Sequence, residues 1–181
     1  MEGDPYERLG CRELYRNPWV RVEAHEVVHP TGAPGEHVLI LTPQSCGIVV
    51  ADGDDLLFTR QPRFAARSYV LEIVKGGQAS GETPLESARR ELREELGVTA
   101  ERWSELGRLY EIPSIVAPPV IIFLASDVAI GTPEPENEES IGLVRISRLA
   151  AIDAALRGEI DDAVTVAALF RYAANAGLLR R

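Results

Sequence analysis

The segment Lys75–Val98, KGGQASGETPLESARRELREELGV, constrains the fold of this chain more than any other stretch. The preceding residues, SYVLEIV, read as a strand, whereas inside the segment the apolar period becomes about 3.6 residues. A capping box with proline at the first helical position marks the change, formed by Thr83, Pro84 and Glu86. Gly97 is a natural stop. The segment therefore predicts a helix over Pro84–Leu96, with a buried stripe of Leu85, Ala88, Leu92 and Leu96.

The predicted helix carries a cluster of like charges on one face. Glu91, Glu94 and Glu95 are spaced i, i+3 and i+4, which places neighbouring Cβ atoms roughly 5–6 Å apart. Repulsion at this spacing weakens an isolated helix by a few tenths of a kcal/mol per pair. Two interpretations follow. The carboxylates form a solvated face that is paired with arginines of the same helix, or they act together as a binding site.

Segments with strand-like alternation flank this helix on both sides. Trp19–Val28 and His37–Leu41 predict an N-terminal hairpin, and CGIVVADGDDLLFTRQ predicts another with its turn at Asp52–Asp55. Further strands are predicted at GRLYEIP, VIIFLAS and IGLVRIS, and further helices near Arg148–Leu156 and Asp161–Ala176. Strands interleaved with helices predict an α/β domain with a mixed sheet covered on both faces.

Length and charge restrict the class of protein. A chain of 181 residues favours one compact domain. Its net charge of -9 disfavours a nucleic-acid-binding surface, and an acidic protein that handles phosphates needs metal cations or local arginines. The longest strongly apolar run, VIIFLA, is far shorter than a membrane span, and Met1–Gly10 is polar, unlike a signal peptide. We therefore expect no nucleic-acid and no membrane partner.

The cysteines and histidines show no recognised ligand spacing. Cys11 and Cys46 are too few for a disulfide framework and lack the paired spacing of a zinc site, so we predict ordinary thiols in a reducing cytoplasm. For the histidines, structural or solvent roles are predicted; they are His25, His29 and His37.

One longer pattern decides between the two interpretations of the helix. Gly76 is followed after five residues by Glu82 and, after seven more, by RELREELGV. This resembles the Nudix box, Gly-x5-Glu-x7-Arg-Glu-(apolar)-x-Glu-Glu-x-Gly-(apolar), at every position. Over nearly its whole length the chain is similar to the ADP-ribose pyrophosphatase and ADP-compounds hydrolase branch of the Nudix hydrolases. The resemblance implies an α/β/α sandwich with a mixed sheet over residues 46–181. It also implies an N-terminal β-hairpin extension over residues 1–45 that serves for dimerisation.

The same resemblance implies a set of metal ligands. Glu91 and Glu95 are the expected principal ligands, Glu94 supports them, and the main-chain carbonyl of Lys75 completes the set. The expected ion is Mg²⁺, with Mn²⁺ as an alternative, because hard carboxylate oxygens bind these ions and a diphosphate bridges them. Arg90 is expected among the catalytic residues, as a structural partner of the carboxylates.

Within the motif, Gly76 is expected to bring the backbone close to the ligands and to the substrate, while Glu82 and Gly97 are structural. The catalytic base is assigned by resemblance to Glu138 in the loop GTPEPENEES, with Glu139 next; solvated surface is the alternative.

Substrate contacts are expected from several further residues. Trp19 lies where relatives stack adenine on an aromatic ring; a core or dimer-interface anchor is its alternative role. Arg60 and Arg63, in FTRQPRF, are predicted to clamp phosphate or else to pair with acidic neighbours. Glu72 belongs to YVLEIVKGG, which resembles the lead into the box, and Pro113 lies sixteen residues after Gly97, a spacing associated with ADP-ribose hydrolysis.

The resemblance implies a cytoplasmic, homodimeric, Mg²⁺-dependent enzyme that cleaves ADP-ribose to AMP and ribose 5-phosphate. NADH, diadenosine polyphosphates and nucleotide sugars such as GDP-mannose are alternative substrates, because VKGG before the box and SIVAPPV after Pro113 depart from the ADP-ribose pattern. Two other functions are alternatives: an ADP-ribose sensor without catalysis, and a hydrolase of damaged nucleoside triphosphates. The intact glutamate cluster disfavours the first, and the N-terminal hairpin and Pro113 disfavour the second.

Overall fold

The structure is a computed structural model and describes residues 4–133 and 140–179. Two compact units make up the chain, one from Met1–Gln44 with Tyr110–Pro119 and the other from Ser45–Leu109 with Val120–Arg181. In chain order the elements are β1 (Glu7–Arg16), β2 (Arg21–Val28), β3 (Pro34–Leu41), β4 (Ser45–Asp52), β5 (Asp55–Arg63), β6 (Ser68–Glu72), β7 (Val74–Gly77), α1 (Pro84–Leu96), β8 (Val98–Leu109), β9 (Val116–Ala117), β10 (Val120–Ile130), β11 (Gly142–Ser147), α2 (Arg148–Leu156) and α3 (Ala163–Asn175). Within these described ranges, every helix is too short or too polar to cross a membrane.

The first unit is a four-stranded sheet in the order β1-β2-β3-β9. β2 and β3 form the predicted hairpin, with His25 opposite His37. Its turn is closed by the His29 amide, which donates to the Ala33 carbonyl over 2.8 Å. β9 pairs with β3 in parallel, so the segment Tyr110–Pro119 adds a strand to the hairpin sheet.

The strand β1 was not predicted, because the sequence pattern placed the start of the hairpin at Trp19. All ten residues of β1 are exposed, so burial selects no apolar period along it. Its register with β2 also shifts twice, between Arg8 and Gly10 and between Glu13 and Tyr15. An exposed edge strand with two irregularities shows none of the alternation by which strands are detected in a sequence.

The second unit is built on a mixed sheet, as predicted. Its main order is β11-β5-β4-β10-β8, with β6 paired to β5 and β7 paired to β4. β10 runs parallel to β4 and antiparallel to β8, while β4 and β5 form an antiparallel hairpin around the turn at Asp52–Asp55. This arrangement places β7, which leads into α1, beside a central strand.

The strand β8 is longer than the sequence indicated. A strand was expected from Gly107, whereas β8 begins at Val98, directly after the end of α1. The extra residues are rich in charge, for example Glu101, Arg102 and Glu105, and β8 is the edge of its sheet. Exposed charges on an edge strand weaken its apolar signal and protect the edge from pairing with other chains.

Two apolar clusters cover the two faces of this sheet. One contains residues of α2 and α3 with the sheet residues Val49, Phe58 and Ile122. The other contains residues of α1 with Ile48 and Val50. Successive residues of β4 thus face opposite clusters, which explains its unbroken apolar run. The expected α/β/α sandwich is confirmed.

The helix α1 spans the predicted residues and carries the predicted caps. The Thr83 hydroxyl accepts from the Glu86 amide, and the Glu86 carboxylate accepts from the Thr83 amide, 2.7 Å away. Gly97 ends the helix with φ 65°, in the left-handed region. A side chain there would also meet the Thr132 backbone at 2.4 Å, so two constraints require glycine at this position.

Candidate active site

The glutamate face of α1 lies against β7, where a glycine makes room for it. A Cβ atom at Gly76 would lie 1.9 Å from Cδ of Glu91. No side chain fits in that space, so Gly76 is what allows the Glu91 carboxylate to approach the backbone. The Ser87 hydroxyl, one turn earlier on the helix, donates to the Gly77 carbonyl over 3.0 Å and fixes the same approach.

Arg90 connects the carboxylates of the motif. Its Nε donates to Glu82 over 2.9 Å, and its Nη1 donates to Glu91 over 2.8 Å and to Glu94 over 2.9 Å. Its Nη2 donates to the Gly77 carbonyl over 2.8 Å. One planar guanidinium thereby orders three carboxylates and ties the helix to the end of β7, which is the structural role predicted for it.

These contacts shift the pKa values of Glu82 and Arg90. Hydrogen bonds from Arg90 and from the Ala79 amide lower the pKa of Glu82 to about 2. The hydrogen bonds to Glu82 and Glu94 and the charge of Glu91 raise the pKa of Arg90 above its usual value, although burial opposes this. Both groups are therefore charged across the whole physiological pH range.

Glu95 completes the face and is the most buried of its carboxylates, at 6% exposure. The side chains of Glu91 and Glu94 are 15% and 27% exposed. Four carboxylates are thus gathered at this face, and Arg90 forms ion pairs with three of them, Glu82, Glu91 and Glu94. A partly buried cluster of hard carboxylate oxygens suits a divalent cation such as Mg²⁺. The residues present therefore fit the metal that the motif implies.

A chain of charged and polar groups runs beside this face and joins β6, β7 and α3. Glu72, 2% exposed, accepts from Nε and Nη2 of Arg63, at 3.1 and 2.6 Å, and lies 3.4 Å from Nζ of Lys75. The same Nζ donates to Asp162 over 2.8 Å. Asp162 caps α3 by accepting from the amide and the hydroxyl of Thr165.

The charge balance along this chain sets the ionisation of its members. Burial alone would raise the pKa of Asp162, but Lys75 and Thr165 outweigh it, so the pKa lies below its ordinary value. Hydrogen bonds to Glu72 raise the pKa of Arg63, and the negative charges of Glu95 and Asp162 add to the effect. Glu95 thus interacts electrostatically with Arg63. This interaction connects the chain of charged groups to the glutamate face of α1.

Several of these contacts were not predicted. The sequence analysis assigned Lys75 a role through its carbonyl, whereas the structure shows its ammonium group bridging Glu72 and Asp162. Asp162 and Thr165 were not singled out; the pattern Asp-x-x-Thr before an apolar helix is a capping signal that identifies them. The carbonyl ligand role of Lys75 stays a prediction.

The expected phosphate and substrate contacts are placed as follows. Arg63 forms the acidic pairing that was its alternative, while 40% of its side chain stays exposed; its phosphate role stays a prediction. Arg60 is exposed and lies over the Tyr69 ring, 5.8 Å from its centroid. Glu72 is enclosed by Arg63 and Lys75, and its contact with substrate stays a prediction.

The remaining candidates lie either in the first unit or outside the described residues. Trp19 is 71% exposed in the turn between β1 and β2, which rules out the core alternative for it. Pro113 lines a cavity of about 350 Å³ in the first unit, together with Tyr6 and His37. Glu138 and Glu139 lie outside the described residues, so the assignment of the base stays a prediction.

Cys46 is a buried core thiol, as expected of an ordinary cysteine. It lies opposite Gly76 in the pairing of β4 with β7, and its Sγ donates to the Gly76 carbonyl over 3.6 Å. Burial raises its pKa to about 11. The thiol is therefore neutral and unreactive at neutral pH.

Comparison with known proteins places this geometry in a family context. The NUDIX domain model matches residues 41–169, which include all of α1 and the N-cap of α3, Asp162. An ADP-ribose pyrophosphatase of Bacillus subtilis (strain 168) is 23% identical over 164 residues, which cover 89% of this chain and 89% of that protein. An ADP-ribose pyrophosphatase of Mycobacterium tuberculosis (strain ATCC 25618 / H37Rv) is 35% identical over 161 residues, covering 86% and 72%. A crystal structure of an ADP compounds hydrolase matches 99% of this chain and 100% of its own, with a TM-score of 0.83 and 25% identity.

Proposed function

Because the chain belongs to the NUDIX domain family, we propose that it hydrolyses the diphosphate bond of ADP-ribose, releasing AMP and ribose 5-phosphate. The single observation that carries this proposal is the glutamate face of α1, held against Gly76 and ordered by Arg90. Water attacks one phosphorus atom, the bridging P–O bond breaks, and the proton of the water ends on the departing phosphate or in solvent.

Enzymes of this family use a divalent metal, and we propose Mg²⁺, with Mn²⁺ as an alternative. Glu91, Glu94 and Glu95 would hold it, with the Lys75 carbonyl as a further ligand. When bound, the cation neutralises the charge that builds up on the diphosphate as its P–O bond breaks.

The other roles belong to the side chains of the chain itself. Arg90 keeps the carboxylates from spreading apart under their mutual repulsion. Arg63 is held at Nε and Nη2 by Glu72, so the rest of its partly exposed guanidinium is positioned to bind a substrate phosphate. Glu138 is proposed to take the proton from the attacking water, with Glu139 as the next candidate.

A panel of nucleotides tests the substrate. Purified protein with Mg²⁺ is given ADP-ribose, NADH, diadenosine triphosphate, GDP-mannose or dGTP, and the products are separated by chromatography. We expect the highest kcat/KM for ADP-ribose, with AMP and ribose 5-phosphate in equal amounts. Preference for dGTP would contradict the proposal, and binding of ADP-ribose without turnover would instead support the sensor function.

One observation favours a second, broader specificity. The structural match with an ADP compounds hydrolase extends over 99% of this chain. Under this alternative, NADH or diadenosine triphosphate is cleaved at least as fast as ADP-ribose, and AMP is a product in each case. The same panel separates the two specificities.

We further propose a cytoplasmic homodimer that associates through the first unit. β1 is the edge of its sheet, and its apolar side chains are open to solvent: Leu9 is 60% exposed, Leu14 47% and Tyr15 56%. An apolar edge strand of this length favours pairing with a second chain. The free thiols Cys11 and Cys46 are compatible with a reducing compartment.

A further inference from the structure

The sheet of the first unit brings together a cysteine, a glutamate and a histidine that form no recognised ligand motif in the sequence. Cys11 of β1 lies directly opposite His25 of β2, and two pairs further along the ladder Glu13 lies opposite Glu23. Residues 23 and 25 are two apart on one strand, and directly opposed residues share a face. Cys11, Glu23 and His25 therefore lie on the same face of the sheet.

The donor atoms of these three side chains are at ligand spacing. The Cys11 thiol, a Glu23 oxygen and a His25 ring nitrogen all lie within 4.8 Å of one another. His25 Nε2 is 2.9 Å from Glu23 Oε2. With metal bonds of about 2.0 Å to N and O and about 2.3 Å to S, tetrahedral geometry separates neighbouring donors by about 3.3 to 3.5 Å. Only small side-chain movements would bring all three donors onto one ion.

A fourth residue forms an ion pair with the carboxylate. Arg21 Nε lies 3.0 Å from Glu23 Oε1, without hydrogen-bond geometry, while Oε2 faces His25. A charged group that contacts a ligand from outside the site can position it. The side chains of Glu23 and His25 are each 15% exposed, whereas Cys11 is exposed, which leaves the site open to solvent on the side of the thiol.

The chemistry of the donors selects the cation. A thiolate, an imidazole and a carboxylate form the mixed S, N, O set that binds Zn²⁺ and related borderline metals, with an open fourth position for water. Mg²⁺ prefers oxygen ligands alone, as on the glutamate face of α1. The two sets of candidate ligands lie in different units of the chain and suit different classes of ion.

We infer that Cys11, Glu23 and His25 form a binding site for a Zn²⁺-class cation that joins β1 to β2. Binding releases the thiol proton to solvent, and the ion links the exposed edge strand to its neighbour. The histidine spacing alone did not indicate this site, because only the pairing of β1 with β2 brings Cys11 beside His25.

Cobalt spectroscopy tests the site on the full-length, reduced protein. Co²⁺ is added in the presence of excess Mg²⁺, which occupies the carboxylates of α1. We expect one equivalent of Co²⁺ to produce a thiolate-to-cobalt charge-transfer band and tetrahedral d–d bands, both removed by Zn²⁺. Binding should raise the melting temperature.

Matched variants identify the ligands. Cys11→Ser should abolish the charge-transfer band, and His25→Gln should weaken Co²⁺ binding at least about a hundredfold. Arg21→Gln, which removes the ion pair with Glu23, should weaken it about 10- to 100-fold. Cys46→Ala and His37→Gln are controls that change the other thiol and a neighbouring histidine, and both should keep the band. Circular dichroism checks the fold of each variant.

Three outcomes would overturn the inference. The first is wild-type protein that shows no thiolate band. The second is a band that survives Cys11→Ser, which would assign the thiol to Cys46. The third is equal affinity in His25→Gln and wild type.

Discussion

Gly76 shapes the candidate active site because it has no side chain, which lets the Glu91 carboxylate approach the backbone. The backbone there lies so close to Glu91 that a methyl group would overlap its carboxylate carbon. Arg90, in contrast, acts through its long side chain, which forms ion pairs with three carboxylates. The site therefore depends on close packing against one glycine, Gly76, and on the positive charge of one side chain, Arg90.

Gly76→Ala should disturb Glu91 rather than the sheet. We expect a loss of about 1–3 kcal/mol in the free energy of unfolding, from overpacking, and a strong loss of kcat. The double variant Gly76→Ala/Glu91→Ala should recover stability but not activity. Gly10→Ala, where the nearest atom would lie at 3.9 Å, is the control and should change neither. Denaturant unfolding and steady-state rates measure both effects; unchanged activity in Gly76→Ala would contradict the packing argument.

Glu95→Gln tests the glutamate face directly. The change keeps the volume and removes one negative charge, so we expect kcat to fall at least about a hundredfold. The metal-free protein should keep its melting temperature or gain slightly, because repulsion among the carboxylates decreases. Glu101→Gln, an exposed glutamate of β8, is the control and should keep the wild-type rate. Near-normal turnover in Glu95→Gln would remove it from the catalytic set.

Among the elements, α1 and the segment that leads into it behave as one piece. The capping box and Gly97 define the ends of the helix by local interactions, while Arg90 ties it back to Glu82 and to the Gly77 carbonyl. Asp162 does the same for α3, by capping it and by binding Lys75 of β7. α1 is thus attached to β7 by the hydrogen bond from Arg90 to the Gly77 carbonyl, and α3 by the ion pair of Asp162 with Lys75.

The ion pair of Glu82 with Arg90 predicts a pH dependence of stability. The folded-state pKa of Glu82, about 2, lies below its ordinary value of 4.5. Such a group stabilises the fold above the ordinary pKa, and this contribution is lost as pH falls from about 4.5 to about 2. Over that window, Glu82→Gln should lose less stability than the wild type. Thermal unfolding between pH 6 and pH 3 measures the difference; parallel curves for the two proteins would contradict the assignment.

The predicted base, Glu138, lies in the sequence between β10 and β11, outside the described residues. Glu138→Gln should lower kcat by roughly 10²–10⁴ and leave KM nearly unchanged, since the residue acts on the water and not on the nucleotide. Glu136→Gln and Glu139→Gln, measured at the same metal concentration, are the matched comparisons. If all three variants keep the wild-type kcat, the base lies elsewhere, and Glu94 is the next candidate.

For the whole molecule, the exposed apolar edge strand β1 of the first unit predicts association of two chains. Sedimentation at micromolar concentration should show a dimer. Leu14→Lys, which places a charge on the apolar edge strand β1, should produce monomers without unfolding the protein. Ser104→Lys on β8, the exposed edge of the other sheet, is the control and should leave the dimer intact. A wild-type monomer would rule out the dimer proposal.

Sequence patterns predicted an α/β domain with a mixed sheet covered on both faces, the bounds of α1 and the position of α2, because caps, turns and apolar periods are local properties; the resemblance to a family implied the α/β/α sandwich. They missed β1, whose exposed residues have no apolar period, and the first half of β8, whose charges conceal it. Burial, which sequence patterns detect through apolar residues, is weakest at sheet edges.

The amino-acid sequence by itself determined the glutamate face of α1, since the i, i+3, i+4 spacing of Glu91, Glu94 and Glu95 exists in any helix that forms there. Only the tertiary structure decided what meets that face and what lies beside it. The approach of Gly76, the bridge from Lys75 to Asp162 and the pairing of Cys11 with His25 all join residues from separate elements. Such contacts follow from strand register and helix packing, which depend on the summed burial of the whole core and not on any local pattern.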